Sequence, residues 1–179
     1  MTPWFFGYGS LVHRGTHSYP QAQKATLNNW RRLWVRTDIR DVVFLSIHAA
    51  PGHSIDGLIA EVPGADWAAL DAREAGYARI TATDHIAHGS DALDIAAYQV
   101  PVDLQRRDGA HCILLSYLDV VVQGFVQEFG QAGAEAFFDT TDNWDTPILD
   151  DRGAPRYSRA QNLTRKERAL VDQLLAQVQ

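Results

Sequence analysis

Apolar positions come in short runs and loose alternation through the first hundred residues, and at three- and four-residue spacing through much of the remainder. The first pattern is that of strands and the second that of helices. Trp4-Phe5-Phe6 is an aromatic run that ends in Gly7-Tyr8-Gly9, a buried strand entering a tight turn. Residues 27–48 are rich in Trp, Val, Ile and Phe. They predict two strands, Trp30–Thr37 and Val42–His48, joined by a turn near Asp38–Asp41. Ala49-Ala50-Pro51-Gly52 interrupts the pattern, Ser54–Glu61 resumes it as a strand, and Pro63-Gly64 turns the chain. Asp66 as N-cap and Gly76 as C′ residue bracket a short helix over Trp67–Glu74. Tyr77–Ile86 and Ala96–Val102 read as further strands, with 87–94 as a loop.

The longest helical signal is Ile113–Phe129, where Leu114, Tyr117, Leu118, Val121, Val122, Phe125 and Phe129 recur on one face and Gly130 follows as a stop. Ala132–Phe138 predicts a second helix. Residues 139–162 are polar, with Trp144, Pro147, Pro155 and Tyr157 interspersed; an irregular segment this long is often functional. Thr164-Arg165-Lys166-Glu167 fits a capping box that starts a final helix, with Leu170, Val171, Leu174, Leu175 and Val178 on its apolar face. Strands first and helices afterwards favour an α+β fold, a small curved or barrel-like sheet with helices packed around it. No repeat or linker divides the 179 residues, so one domain spanning 1–179 is expected.

Composition narrows the function classes. Hydrophobic residues make up 46% and charged residues 21%, ordinary for a globular protein. No run approaches the roughly eighteen apolar residues of a membrane span, and the N-terminal residues lack the basic start and apolar stretch of a leader. A net charge of −6 argues against general nucleic-acid binding, which needs clustered Lys and Arg. Trp30-Arg31-Arg32-Leu33-Trp34 mixes basic and aromatic residues but is short, and reads as an amphipathic strand. The single cysteine, Cys112, allows no internal disulfide, which fits a reducing, cytoplasmic setting. At the start of an apolar helix it reads as a small buried hydrophobe. The seven histidines show no ligand spacing that predicts a metal, and Asp139–Asp145 lacks the spacing of a calcium loop.

Two short motifs carry the candidate chemistry. Phe6-Gly7-Tyr8-Gly9-Ser10-Leu11 has glycines that permit a tight turn and close approach to a ligand. Its successive N–H groups form an anion-binding nest, to which the Ser10 hydroxyl adds a donor. The third glycine of a dinucleotide fingerprint is missing, since Val12 stands there. Leu70-Asp71-Ala72-Arg73-Glu74-Ala75-Gly76-Tyr77 places Glu74 at the end of the short helix. The carbonyls there, and burial, push a carboxyl pKa upward, as suits a general base that must return its proton. Arg73 opposes that shift if it turns inward. Read singly, the motifs are also a turn with packing glycines and a solvated glutamate before a helix cap.

Together, and in this order, the two motifs resemble those of the γ-glutamylcyclotransferase family, over residues 4–80. The resemblance implies a small mixed β-barrel with flanking helices and no cofactor. It implies an intramolecular reaction that turns a γ-glutamyl group into 5-oxoproline and releases an amine, amino acid or peptide. Glu74 would be the acid/base; the N–H groups and hydroxyl around Gly9, Ser10 and Leu11 would hold the glutamyl moiety, and Tyr8 would line the substrate pocket. Tyr157, from the irregular segment, is a further expected contact, since a phenol orients carboxylates or amines. The partner is thus a small γ-glutamyl substrate, with the chain a monomer or homodimer. The alternative is a non-catalytic module that binds a small carboxylate in the same pocket. Val12-His13-Arg14 and Ala75 depart from the better-known branches and leave the leaving group open.

Overall fold

Alternation along the first strand decides how the layers stack. In a computed structural model that describes residues 2–179, strand β1 (Trp4–Gly7) is buried throughout. Phe6 faces the larger core cluster and Phe5 a smaller one, on opposite sides of the sheet. A strand buried on both faces must be an apolar run, which is what Trp4-Phe5-Phe6 supplies. Met1, the first residue of the stretch read for a leader, lies outside the described residues.

Chain order continues with β2 (Gln23–Thr37), β3 (Phe44–Glu61), helix α1 (Ala68–Arg73), β4 (Ala78–Thr81), β5 (Ile86–His88), β6 (Ile95–Gln99), β7 (Gln105–Arg106) and β8 (Ile113–Leu114). Helix α2 (Leu115–Asp139), β9 (Thr141–Asp142), β10 (Ile148–Leu149) and helix α3 (Arg165–Leu175) follow. The main sheet runs β4-β6-β1-β3-β2-β5, with β7 and β9 also paired to β2. It is mixed: β1 is antiparallel to β3 and parallel to β6, and β2 is parallel to β9. The sheet curls into a half-barrel around α2, as the α+β reading expected. The inner cluster joins Leu27, Trp34, Ile47 and Ile59 of the sheet to Leu118, Val122 and Phe125 of α2 and to Val171 and Leu174 of α3. Among the described residues, no helix is long and apolar enough to cross a membrane.

Several boundaries differ from the sequence reading. Pro51 and Gly52 do not end a strand; they sit inside β3. Gly52 takes φ +83°, opposite a bulge at Asn29 (φ +65°), and its N–H donates to Asn29 Oδ1 at 3.0 Å. The ladder to β2 then resumes from Asn28↔Ser54. Tertiary pairing here overrides a local breaker. Residues 77–86 are not one strand: a 3₁₀ turn at Thr83–His85 divides β4 from β5, and β5 extends into the expected loop because Ala25–Leu27 pair with it. The short helix starts at Ala68 rather than Trp67, with Asp66 Oδ1 accepting from the Ala68 N–H. Ile113 and Leu114 pair with Ile148 and Leu149 before α2 begins. Gly130 (φ +72°) breaks α2, and helix resumes beyond it to Asp139. The Thr164 capping box is complete.

The irregular segment after β10 is fastened to α2 by Asp151. Its carboxylate accepts from the Ser116 N–H (2.8 Å), the Ser116 hydroxyl (2.6 Å) and the Arg156 N–H (2.8 Å). Burial alone would raise this carboxyl, but the Ser116 and Arg156 hydrogen bonds outweigh it and hold it below the usual range. A depressed carboxyl adds stability above its unfolded pKa, near 4, which is lost as pH falls through the folded value. Asp151→Asn should therefore cost about 1–3 kcal/mol at neutral pH. In urea unfolding, its deficit against the wild type should shrink below about pH 4.

Candidate active site

The first strand delivers the chain to Gly7-Tyr8-Gly9, and Ser10–Val12 then closes a 3₁₀ turn. A Cβ at Gly9 would lie 2.7 Å from the Tyr117 hydroxyl and 2.9 Å from Leu45 Cδ2, so any larger residue there would have to displace these two side chains. The Gly9 and Ser10 carbonyls accept from Val12 and His13 N–H at 3.0 and 3.2 Å. The Gly9 and Leu11 N–H groups find no partner among the described residues.

Beneath this turn lies Arg32, fully buried on β2. Its Nε donates to the Tyr8 carbonyl (2.8 Å), and its other nitrogens donate to Thr140 Oγ1 (2.9 Å) and the Asp56 carbonyl. The guanidinium also stands 4.9 Å and 5.1 Å from the Phe125 and Phe137 ring centres. Burial lowers it to about 9, so it stays charged at neutral pH. In a trans peptide the C=O and N–H point opposite ways. Holding the Tyr8 carbonyl against Arg32 therefore turns the Gly9 N–H away from it.

Glu74 is the C-cap residue of α1, its N–H bonded to the Leu70 carbonyl at 2.9 Å. Its side chain is only 16% exposed. Burial pushes the carboxyl up from its ordinary value, against the pull of Arg73, Arg159 and Arg40. Arg73 does turn inward. It lies 3.2 Å from Glu74 Oε1 and donates to the Thr16 carbonyl (2.8 Å), Thr16 Oγ1 (3.0 Å) and Ser10 Oγ (3.2 Å). One side chain thus ties the acid/base candidate to the glycine loop. Three tyrosines, Tyr8, Tyr77 and Tyr117, surround Glu74 closely enough for its charge, after burial, to help raise their phenols. Raised phenols stay neutral donors at working pH.

These groups open onto a cavity of about 590 Å³, of a size for a small molecule. Ser10, Glu74, Tyr77 and Tyr117 line both it and a small inner recess. Tyr8, Gly9 and Leu11 line the recess only. The Tyr8 hydroxyl is engaged by the Tyr98 carbonyl at 2.6 Å, and the Leu11 side chain is buried with Phe5, Val62 and Leu70. Tyr157 lines the outer cavity, edge-on to Tyr117 at 5.0 Å.

Other polar and aromatic groups of the sequence lie elsewhere. Trp144, from the same polar segment, does not reach the cavity. It stacks on Phe138 at 4.6 Å and donates to the Phe138 carbonyl. Cys112 is not a buried hydrophobe in a helix; it is half-buried, bridged to Val42 ahead of β8. Asp142 pairs with Arg31 (2.7 Å) and His48 (2.9 Å). His13 bonds Gln123 and His17 the Leu11 carbonyl. Among the described residues no three His, Cys, Asp or Glu side chains gather as a metal site. Sequence reasoning missed Arg32, Arg159, Tyr77 and Tyr117 as site residues. A phenol on the aliphatic face of α2 was the available signal for Tyr117, because a buried tyrosine hydroxyl seeks a partner.

A family model described as ChaC-like protein matches residues 3–101. No curated protein matches the chain. Among solved structures, one described as gamma-glutamyl cyclotransferase is 13% identical with a TM-score of 0.61, over 97% of this chain and 99% of its own. The Homo sapiens protein loc79017, described as uncharacterized, gives 13% identity and 0.62 over 96% and 98%. YkqA from Bacillus subtilis gives 14% and 0.60 over 79% of this chain and 56% of its own. At such identities the likeness is one of fold.

Proposed function

The chain belongs to the ChaC-like protein family, and from that premise we propose that it is a γ-glutamylcyclotransferase-like enzyme releasing 5-oxoproline from a small γ-glutamyl compound. The observation that carries the reading is the buried Glu74 carboxyl, raised in pKa, sharing one recess with the unpartnered N–H groups of Gly9 and Leu11. Glu74 accepts a proton from the substrate's α-ammonium. The freed amine attacks the γ-carbonyl of the same molecule, forming the ring C–N bond as the original amide C–N bond breaks, and the attacking nitrogen gives its second excess proton to water to become the lactam N–H. Glu74 returns the proton to the leaving nitrogen. The Gly9 and Leu11 N–H groups and the Ser10 hydroxyl hold the glutamyl part.

Because attacker and carbonyl share one molecule, the site has mainly to fix a reactive conformer and exclude water. One placed acid/base then contributes about 10²–10⁴-fold. The test is 5-oxoproline release from a panel of γ-glutamyl amino acids, peptides and amines. A folded protein that binds these compounds and releases none would be a carboxylate-binding module instead.

The proposal fixes a pH dependence. The basic form of Glu74 is required, and its pKa is raised, so kcat/KM should fall on the acid side at a pH above the ordinary 4.5. Arg73 is the strongest pull in the other direction. In Arg73→Met the acid limb should move to still higher pH, whatever happens to the maximum rate. A limb that stays in place would remove Glu74 from the role of base.

A further inference from the structure

The outer cavity carries an excess of positive charge in a protein whose net charge is −6. Four guanidiniums line it, those of Arg40, Arg73, Arg156 and Arg159, against the carboxylates of Glu74 and Asp41. Three of the four are engaged. Arg73 serves the glycine loop and Glu74. Arg40 donates to the Ala75 carbonyl at 3.0 Å and lies 5.2 Å from the Phe44 ring centre. Arg156 pairs with Asp41 at 3.2 Å. Arg159 is half-buried, and its guanidinium makes no hydrogen bond or ion pair among the described residues. It lies beside Tyr157, on the wall that Asp151 fastens to α2, near enough to Glu74 to oppose the rise of its carboxyl. A guanidinium fork partly withdrawn from water, with no acceptor of its own, matches a carboxylate in two-point geometry.

We propose that Arg159 binds a carboxylate on the leaving group, so that the preferred substrates are γ-glutamyl amino acids and short γ-glutamyl peptides rather than γ-glutamyl amines. The inference rests on the reaction proposed above. The glutamyl end occupies the recess at Gly9 and Glu74, and the amide nitrogen lies toward the outer cavity. A leaving group that ends in a carboxylate brings its negative charge to Arg159. A neutral amine leaves that guanidinium without an acceptor. Arg159 is thus a specificity-determining residue, whose effect falls on the choice between leaving groups.

The test compares γ-glutamyl-alanine with γ-glutamyl-alaninamide, which differ in one charge and little in shape. Wild type should favour the acid by about tenfold to a hundredfold in kcat/KM, the range for a hydrogen bond to a charged group. In Arg159→Gln the ratio should collapse toward one, through loss on the acid. Any shift in Glu74 caused by removing Arg159 acts on both compounds and leaves the ratio alone. The same two compounds titrated calorimetrically into Glu74→Gln, with and without Arg159→Gln, give the ratio as binding without turnover. Absence of turnover alone would count against the reaction; a persistent binding preference lost with Arg159 would still support the anchor. Equal treatment of acid and amide by the parent in both assays, or a ratio that survives Arg159→Gln, would overturn it.

Discussion

Glu74→Gln should lower 5-oxoproline release by about 10²–10⁴-fold, the usual contribution of one positioned acid/base group. Glutamine keeps the shape and the carbonyl acceptor but neither takes nor returns a proton at neutral pH. The loss should appear in kcat, with ligand affinity changed far less, because the Gly9 and Leu11 N–H groups and the Ser10 hydroxyl remain. The variant should also fold. Its Arg73 neighbour keeps three other acceptors, at Thr16 and Ser10. Steady-state rates beside calorimetric binding make the comparison. Equal rates for variant and wild type would place the acid/base elsewhere in the cavity.

Arg32→Met should be the most damaging substitution for stability, at about 3 kcal/mol or more. Two effects compete. Removing a buried charge in favour of an apolar side chain of similar size can be neutral or stabilising. Here, however, the acceptors are main-chain carbonyls at Tyr8 and Asp56 and the Thr140 hydroxyl, none of which leaves with the charge. Each buried polar group left unpaired costs about 1–3 kcal/mol, so the unpaired acceptors outweigh the relief of burial. Urea unfolding of the two proteins at neutral pH measures the difference. A loss under about 1 kcal/mol would mean that water reaches these carbonyls once the arginine is gone.

The features legible in the sequence are those set by local chemistry. Gly130 stops a helix because it takes a left-handed conformation, and Thr164 and Glu167 close a box with their own backbone. Glu74 ends a short helix because Gly76 (φ +99°) follows. What stayed hidden depends on partners distant in the chain. Pro51 and Gly52 read as a breaker until Asn29 is opposite them. Arg32 looked like one face of an amphipathic strand. Only the Thr140 hydroxyl, the Asp56 carbonyl and two phenylalanines from α2 make an interior position for a guanidinium. The cavity was legible on the side built by residues 8–11 and 73–77. Its other side, from Leu114, Tyr117 and 156–159, exists because Asp151 joins two segments whose patterns say nothing of one another.

That division of the cavity between two stretches of chain has an evolutionary consequence. The glycine loop and Glu74 lie within the first eighty residues, on strands and a helix that cannot drift without losing the core. Part of the opposite wall, residues 156–159, follows more than seventy residues later, on a segment outside the main sheet that is fastened to α2 through Asp151 and through Arg152, which donates to Asp119. Descendants of this chain can rewrite that stretch by insertion, deletion or single exchange and so reshape what the cavity admits, while the glycine loop and Glu74 are inherited untouched.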